Sequence, residues 1–182
     1  VCSNGSAVLL TASTTSASAN VVVGSGTTLN STTGYPSPLS NYYGGTKHQM
    51  LIRASELNAL GFVSGDQISA VSFNVSAVGS TFTGSLTNFS VAMGHTANTV
   101  LTSSGFIGGL TTVRPGAALT VPTTGLPVDL SIPFSTNFTW NGTDNIVIQT
   151  SYSNGNSGTL TDFVQSTSTD PGFVSTNYYR VD

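Results

Sequence analysis

The 182-residue sequence predicts an all-β fold, an antiparallel β-sandwich. Apolar and polar residues alternate in several runs, which is the period of a strand with one buried and one wet face. Glycine, asparagine and proline separate these runs at the spacing of about 8–12 residues that is typical of sandwiches. No helix long enough for a crossover lies between them, which excludes a parallel sheet. Numerous strands and long loops favour a jelly-roll arrangement, with an immunoglobulin-like sandwich as the second choice.

The first thirty residues differ from the rest of the chain. They are rich in Ser, Thr, Ala and Val, and they contain two short β-prone runs at 7–11 and 20–23. We therefore predict two regions. Residues 1–30 form a β-prone arm, or the remnant of a preceding repeat, and residues 31–182 form the sandwich domain.

One short helix is predicted between a loop and the main series of strands. Prolines and tyrosines mark residues 34–45 as a loop, and a strand begins near residues 49–53. Residues 54–60 then offer a helix of one or two turns, with Glu56 in the first turn and Gly61 as the left-handed stop. The predicted strands that follow lie at 71–75, 89–93, 126–132, 145–149, 163–164 and 174–181.

Charge is scarce throughout the sequence. Only 6% of the residues are charged, whereas an ordinary soluble domain has about 25% charged residues. Four Lys and Arg residues do not supply the basic face that nucleic acid or anionic lipid requires, and no apolar run approaches the ~20 residues of a membrane span. We therefore expect neither nucleic-acid binding nor direct membrane insertion. A neutral surface of hydroxyls and amides suits a secreted or cell-surface protein.

Candidate catalytic and metal-binding residues are few. The sequence has no Gly-x-Ser-x-Gly elbow, and its single cysteine, Cys2, is far in sequence from both histidines. Glu56 and Asp66 are better explained as a first-turn helix residue and a turn residue than as a catalytic pair. Asp144, in the loop 141–145, is a candidate calcium ligand, but an ordinary turn before a strand is the favoured explanation. We expect no enzyme activity and no cofactor.

Aromatic side chains are the candidate ligand-binding residues. Sugars stack on aromatic faces at shallow sites, and the candidates for this role are Tyr42, Tyr43, Trp140 and Tyr179. Each has a structural alternative. Trp140 follows Phe138 in alternation and can belong to the core, and the tyrosines at 42–43 can cover the end of the sandwich.

The uncharged N-terminal arm is the candidate for self-assembly. A β-prone segment can add a strand to the open sheet edge of a like subunit or a neighbouring domain, and the arm lacks the charges that normally oppose edge pairing. The alternative is that the arm pairs within its own domain. The residues of this candidate assembly strand are Val8, Leu9, Leu10, Val21, Val22 and Val23.

Most of the chain resembles a known module. The segments that carry this resemblance are 35–38, NYYGGTKHQMLIRASEL at 41–57, 68–75, 86–94, 133–134 and WNGTDNIVI at 140–148. They make residues 28–182 similar to a β-sandwich module of large cell-surface proteins of Bacteroidota-type bacteria, which type IX secretion exports. Such modules occur beside immunoglobulin-like or fibronectin-like repeats, and residues 2–12 resemble the opening strand of such a repeat. The resemblance implies location and neighbours, and it transfers no catalytic residue.

The composition and the resemblance together predict a non-catalytic extracellular module. Its role would be structural or adhesive, in a cell-surface protein or a surface filament, with self-assembly through strand addition as one route. Its partners would then be like subunits or neighbouring domains of the same surface protein. The alternative is a carbohydrate-binding module of a secreted hydrolase, whose partners would be glycans.

Overall fold

The fold is an all-β sandwich of two antiparallel sheets, as predicted. The computed structural model describes residues 5–6, 8–13, 18–30, 37–39, 44–153 and 164–181. Within these ranges the chain forms twelve strands and one short helix. No helix in the described part of the chain has the length and apolar character needed to cross a membrane.

The strands and the helix follow one another along the chain with these bounds. The N-terminal strands are β1 Gly5–Ser6, β2 Val8–Ser13, β3 Ser18–Val23 and β4 Thr28–Leu29. After them come β5 Gly45–Ile52, α1 Ala54–Ala59, β6 Gln67–Val78, β7 Ser85–Thr96 and β8 Thr111–Thr120. The C-terminal strands are β9 Val128–Thr139, β10 Asn145–Ser153, β11 Val164–Thr169 and β12 Thr176–Val181.

Strand β6 lies in the middle of the first sheet, which we call sheet 1. It pairs with β9 along one side. Along the other side it pairs with β2 near its start and with β11 near its end. Strand β3 extends the sheet beyond β2, while β4 and β1 pair with β11.

The second sheet, sheet 2, has the strand order β12-β5-β10-β7-β8, with every neighbouring pair antiparallel. From β5 to β12 the chain passes to the opposite sheet at every connection except the β7–β8 hairpin. This alternation between two packed sheets is a jelly-roll arrangement, the first choice from the sequence. The side chain of Ser135 bridges the β9 and β8 edges, since its Oγ donates to the Val113 carbonyl at 2.9 Å.

Apolar side chains from both sheets form one core between them. Burying each such side chain stabilises the fold by about 1.5–3 kcal/mol relative to leaving it in water. The largest fully buried members are Trp140, Phe73, Phe89, Leu10, Leu39, Leu57, Ile68, Leu86, Met93, Ile132, Ile146 and Ile148.

The N-terminal hairpin of β2 and β3 belongs to sheet 1 of the same chain. Leu10 pairs with Val71 of β6 and is fully buried. Val8 and Val23 are also buried in the common core. The described part of the predicted arm is therefore joined to the sandwich by both strand pairing and core packing.

The short helix α1 forms where the sequence predicts it and ends one residue before the predicted end. The Arg53 backbone N–H donates to the Glu56 carboxylate at 2.8 Å, which caps the first turn. Gly61 has φ +90°, the left-handed conformation that stops a helix at low steric cost. Leu57 is the buried residue that anchors this helix to the core.

Strand β8 was not predicted, because its sequence contains Pro115 followed by Gly116. Both residues read as a turn in isolation. In the structure β8 pairs only with β7 among the described strands, and its register shifts repeatedly along that pair. An edge strand with bulges tolerates proline, since one side of its backbone needs no partner. A Cβ added to Gly116 would lie 3.4 Å from the Asn88 carbonyl, so the two backbones approach closely there.

Candidate functional site

The structure removes Trp140 from the candidates for sugar stacking. Its side chain is fully buried. Its indole Nε1–H donates to the Asp144 carbonyl at 2.8 Å, and its ring meets the Phe62 ring edge-on at 6.3 Å. A ring held on all sides by protein offers no face to a sugar. Trp140 is a core residue, as its alternation with the buried Phe138 allowed.

Tyr179 is the one predicted aromatic candidate that the structure places on the described surface. It is 60% exposed on β12, opposite Lys47 of β5. The Lys47 ammonium lies 5.4 Å from the centre of the Phe106 ring, so an aromatic and a cation border the same patch. Tyr42 and Tyr43 lie outside the described residues, and sugar stacking on them stays a prediction.

Asp144 lies in a turn whose hydrogen bonds close on themselves. The Asn141 side-chain oxygen accepts from the backbone N–H groups of Thr143 at 3.1 Å and Asp144 at 3.0 Å. The Asp144 carboxylate accepts in turn from the Asn141 amide at 2.7 Å. Among the described residues, no group of three His, Cys, Asp or Glu side chains is arranged to hold a metal ion. The geometry is that of an Asx turn, which needs no ion.

Each carboxylate that the structure describes is engaged in a short hydrogen bond within the fold. Five of the seven acidic residues lie in the described ranges. Four of the five bonds span three residues or fewer, and the fifth joins neighbouring strands. The pairs are Glu56 with Arg53 N at 2.8 Å, Asp66 with Val63 N at 2.9 Å, Asp129 with Asn74 Nδ2 at 2.9 Å, Asp144 with Asn141 Nδ2 at 2.7 Å and Asp170 with Gly172 N at 2.9 Å.

His48 is a buried histidine on the inner face of sheet 2. It has no exposed surface, and neither ring nitrogen has a hydrogen-bond partner in the described part of the chain. Its cross-strand neighbours are Thr150 of β10 and Tyr178 of β12. Burial lowers the pKa of His48 to about 3, because the charged imidazolium would have to leave water. The residue is therefore neutral over the physiological range.

The candidate assembly residues divide between the core and the surface. Val8, Leu10 and Val23 are buried, Leu9 and Val21 are half-buried, and Val22 is 55% exposed. In this chain β2 is paired on both sides, with β3 and with β6. Within this hairpin, the outer edge of β3 is the one that lacks a neighbouring strand among the described residues. Assembly through this hairpin would therefore use the β3 edge.

A polar groove crosses the outer face of sheet 1, where the sequence did not predict a ligand site. It consists of two adjoining depressions of about 690 and 260 Å³ that share Leu9, Ser72 and Asp129. We call it the sheet 1 groove. Its remaining lining residues are Thr11, Asn20, Ser69, Ala70, Ser131, Pro133, Phe134 and Asn137 in the larger part and Val22, Gly24, Ser25, Gly26, Thr27 and Asn74 in the smaller.

Cross-strand hydrogen bonds hold several groove side chains in place. Thr11 Oγ1 donates to Asn20 Oδ1 at 3.1 Å, which leaves the Asn20 amide N–H groups available. The amide of Asn74 donates to Asp129 Oδ1 at 2.9 Å, and the Asn137 amide donates to Gln67 Oε1 at 2.8 Å. The polar groups are thus oriented by the sheet itself, and part of their bonding capacity stays open.

The sequence did contain a signal for this groove. Its floor residues Ser72 and Ser131 occupy the outward positions of alternating runs, where they are cross-strand neighbours. Alternation marks such positions as outward, but it does not show which strands are adjacent. The pairing of β2, β6 and β9 was needed to bring these residues together.

Comparisons with protein-family models, curated proteins and solved structures found nothing that matches this chain.

Proposed function

We propose that the chain is a non-catalytic structural or adhesive module of an extracellular cell-surface protein or surface filament. The observation that carries the non-catalytic assignment is that the described carboxylates form hydrogen bonds within the fold. All five described acidic side chains hold turns, a helix start or a strand pair. General acid and base catalysis needs carboxylates directed at a substrate. Here each of them makes a hydrogen bond that stabilises the fold.

The neutral surface supports the extracellular role. Because only 6% of the residues are charged, we expect the protein surface to consist mainly of hydroxyls, amides and small apolar groups. Interactions made by such a surface depend little on salt or pH, because few ions are present to be screened or titrated. The resemblance to β-sandwich modules of Bacteroidota-type surface proteins supports the same location. Like subunits or neighbouring repeats of one surface protein are the partners we propose.

The edge of β3 is the route by which the module could join a neighbour. A strand edge without a partner exposes N–H and C=O groups that pair readily with another strand. Val22 and Asn20 on this strand are exposed and uncharged. Strand addition at β3 would extend sheet 1 without disturbing the core.

A lysine at position 22 tests this route. Val22→Lys adds a charge to the β3 edge, and Val63→Lys is a matched control, because Val63 is 60% exposed in the loop between α1 and β6 and belongs to no strand. We expect Val22→Lys to weaken self-association at least tenfold in light scattering across a concentration series, and Val63→Lys to leave it unchanged. A wild-type protein that stays monomeric throughout the series would exclude strand addition.

Turnover assays test the non-catalytic assignment. The protein is incubated with neutral and acidic polysaccharides and with casein, and released reducing ends and peptides are measured. We expect no release above a heat-denatured control. Release that disappears in Glu56→Gln or Asp129→Asn would overturn the proposal.

A carbohydrate-binding module is the second candidate function, and the sheet 1 groove favours it. Ligand sites of this kind are concave and carry a few oriented polar groups. The groove combines depth with hydroxyls, amides and the Phe134 ring. The candidate keeps the module non-catalytic and gives it a ligand.

A further inference from the structure

We infer that the sheet 1 groove is a binding site for a neutral glycan. The inference deepens the adhesive role proposed above and rests on it. The proposed ligand site is therefore a surface formed by β3, β2, β6 and β9 and does not include the buried Trp140.

The floor of the groove carries a hydroxyl that has no hydrogen-bond partner in the described part of the chain. Ser72 is only 3% exposed and lines both depressions. Neither Ser72 Oγ nor the Oγ of its cross-strand neighbour Ser131 makes a side-chain hydrogen bond to another described residue. A polar group at the bottom of a groove is stabilised when a ligand group completes its hydrogen bonding. The floor is therefore prepared for a polar ligand.

The walls offer donors and acceptors side by side. The Asn20 amide donates, while Asp129 Oδ2 and the oxygen of the Thr11 hydroxyl accept. Ligands with hydroxyls on adjacent carbons need this mixture, because each hydroxyl donates once and accepts twice. The exposed Pro133 and the accessible part of Phe134, which also packs against the core, supply apolar surface for the C–H face of a sugar ring.

Charge selects a neutral ligand over an anionic one. Asp129 is the one ionisable side chain among the lining residues, and none of the lining residues is Lys or Arg. A single carboxylate accepts hydrogen bonds from sugar hydroxyls and repels sulfate or uronate groups. Two of the cations are engaged elsewhere: Arg53 binds the Thr99 carbonyl, and Arg114 binds the Phe89 carbonyl.

A peptide strand is the less suitable occupant. Strand addition requires a backbone edge, whereas the groove lies on a face of the sheet, above β2, β6 and β9. Strand β2 is paired with β3 and β6, and β6 is paired with β9 on its other side. The backbone groups of β2 and β6 are therefore bonded within the sheet, and these two strands offer side chains to a ligand.

Affinity electrophoresis and calorimetry on the whole chain test the inference. The probes are mixed-linkage β-glucan, xylan and galactomannan as neutral polysaccharides, and chondroitin sulfate as an anionic one. We expect at least one neutral polysaccharide to bind and chondroitin sulfate not to bind. Asp129→Asn keeps an oxygen for the Asn74 amide, and Ser72→Ala removes only the floor hydroxyl. We expect each to weaken binding at least tenfold.

Tyr179→Ala tests the competing sugar site, because it removes the exposed aromatic candidate from the outer face of the other sheet. Binding should survive it, and thermal melts confirm that all variants fold. Folded protein that binds none of the neutral probes overturns the inference and leaves the structural role standing. Loss of binding in Tyr179→Ala alone also overturns it. Groove variants that change self-association while no glycan binds would identify a second copy as the occupant. Cleavage of a bound polysaccharide would instead overturn the non-catalytic assignment.

Discussion

The two outer faces of the sandwich differ in how far they are covered: loop residues cover the outer face of sheet 2, whereas the groove on sheet 1 is open. On sheet 2, Leu51 and Val147 point outward, yet they are 3% and 0% exposed because Leu101 and neighbouring loop residues cover them. On sheet 1, the outward positions of β6 and β9 hold Ser72 and Ser131, and the groove above them is open. A sheet face that carries large apolar residues needs a cover, whereas a face of hydroxyls and amides is already suited to water.

Residues 97–110 form the cover of sheet 2, and side chains of β5 and of Arg53, the residue after it, hold this cover in place by hydrogen bonds. Gln49 Nε2 donates to the Ile107 carbonyl at 2.8 Å, and the Ile107 N–H donates to Gln49 Oε1 at 2.9 Å. The Arg53 guanidinium donates to the Thr99 carbonyl at 2.7 Å and lies 3.6 Å from the centre of the Phe173 ring. Residues 97–110 are thus held by polar bonds around a small apolar cluster. The comparison predicts that the same kind of substitution has different effects on the two faces.

The largest expected effect comes from acid, and it should affect both faces together. His48 has a pKa of about 3 when folded and about 6.5 when unfolded. The unfolded state therefore binds more protons between these values, so stability is full above pH 6.5 and falls as the pH drops towards 3. The loss approaches about 5 kcal/mol at pH 3.

Denaturant titrations of wild type and His48→Leu between pH 7 and pH 3 check this expectation. The variant should lose markedly less stability over the range than the wild type. Parallel losses in the two proteins would show that His48 is not the source of the acid sensitivity.

A leucine on each face gives the next largest contrast. Leu51→Ala should destabilise the protein by about 2–5 kcal/mol, because it empties part of a covered cluster. Leu9→Ala on the sheet 1 groove should cost about 1 kcal/mol or less, since Leu9 is only half-buried. Urea unfolding followed by fluorescence measures both. Equal losses would mean that the two faces are equally covered.

The polar fastening of the cover should have an intermediate effect. Gln49→Leu removes both hydrogen bonds to Ile107 and should cost about 1–3 kcal/mol. Gln149→Leu is the control, because Gln149 accepts a bond from Gln49 at 3.0 Å and leaves the bonds to Ile107 in place. Hydrogen exchange at the Ile107 amide should accelerate in Gln49→Leu and change little in the control. Unchanged exchange in both would contradict a fastening role.

The smallest effect is expected on the open face. Ser131→Ala should change stability by no more than about 0.5 kcal/mol, because the exposed hydroxyl supports no described side-chain bond. Thermal melts of the variant and the wild type measure this difference. A larger loss would mean that the hydroxyl belongs to the fold rather than to a ligand site.

Local patterns determined much of the fold. Alternation of apolar and polar residues predicted an all-β sandwich, and Glu56 with Gly61 predicted the helix to within one residue at its C-terminal end. These signals are carried by neighbours in sequence, because strand period, first-turn charge and left-handed glycine each depend on a few adjacent residues. The scarcity of charge predicted a neutral surface in the same direct way.

Tertiary structure decided the rest, since pairing brings together residues that are distant in sequence. Pro115 lies in a strand because β8 occupies an edge, which no local rule reveals. Trp140 is buried and Tyr179 is exposed because of what packs against them, although both are aromatic residues of β-rich segments. The groove exists because β2, β6 and β9 are adjacent. Sequence period fixes which way a side chain points, and only the order of strands fixes its neighbours.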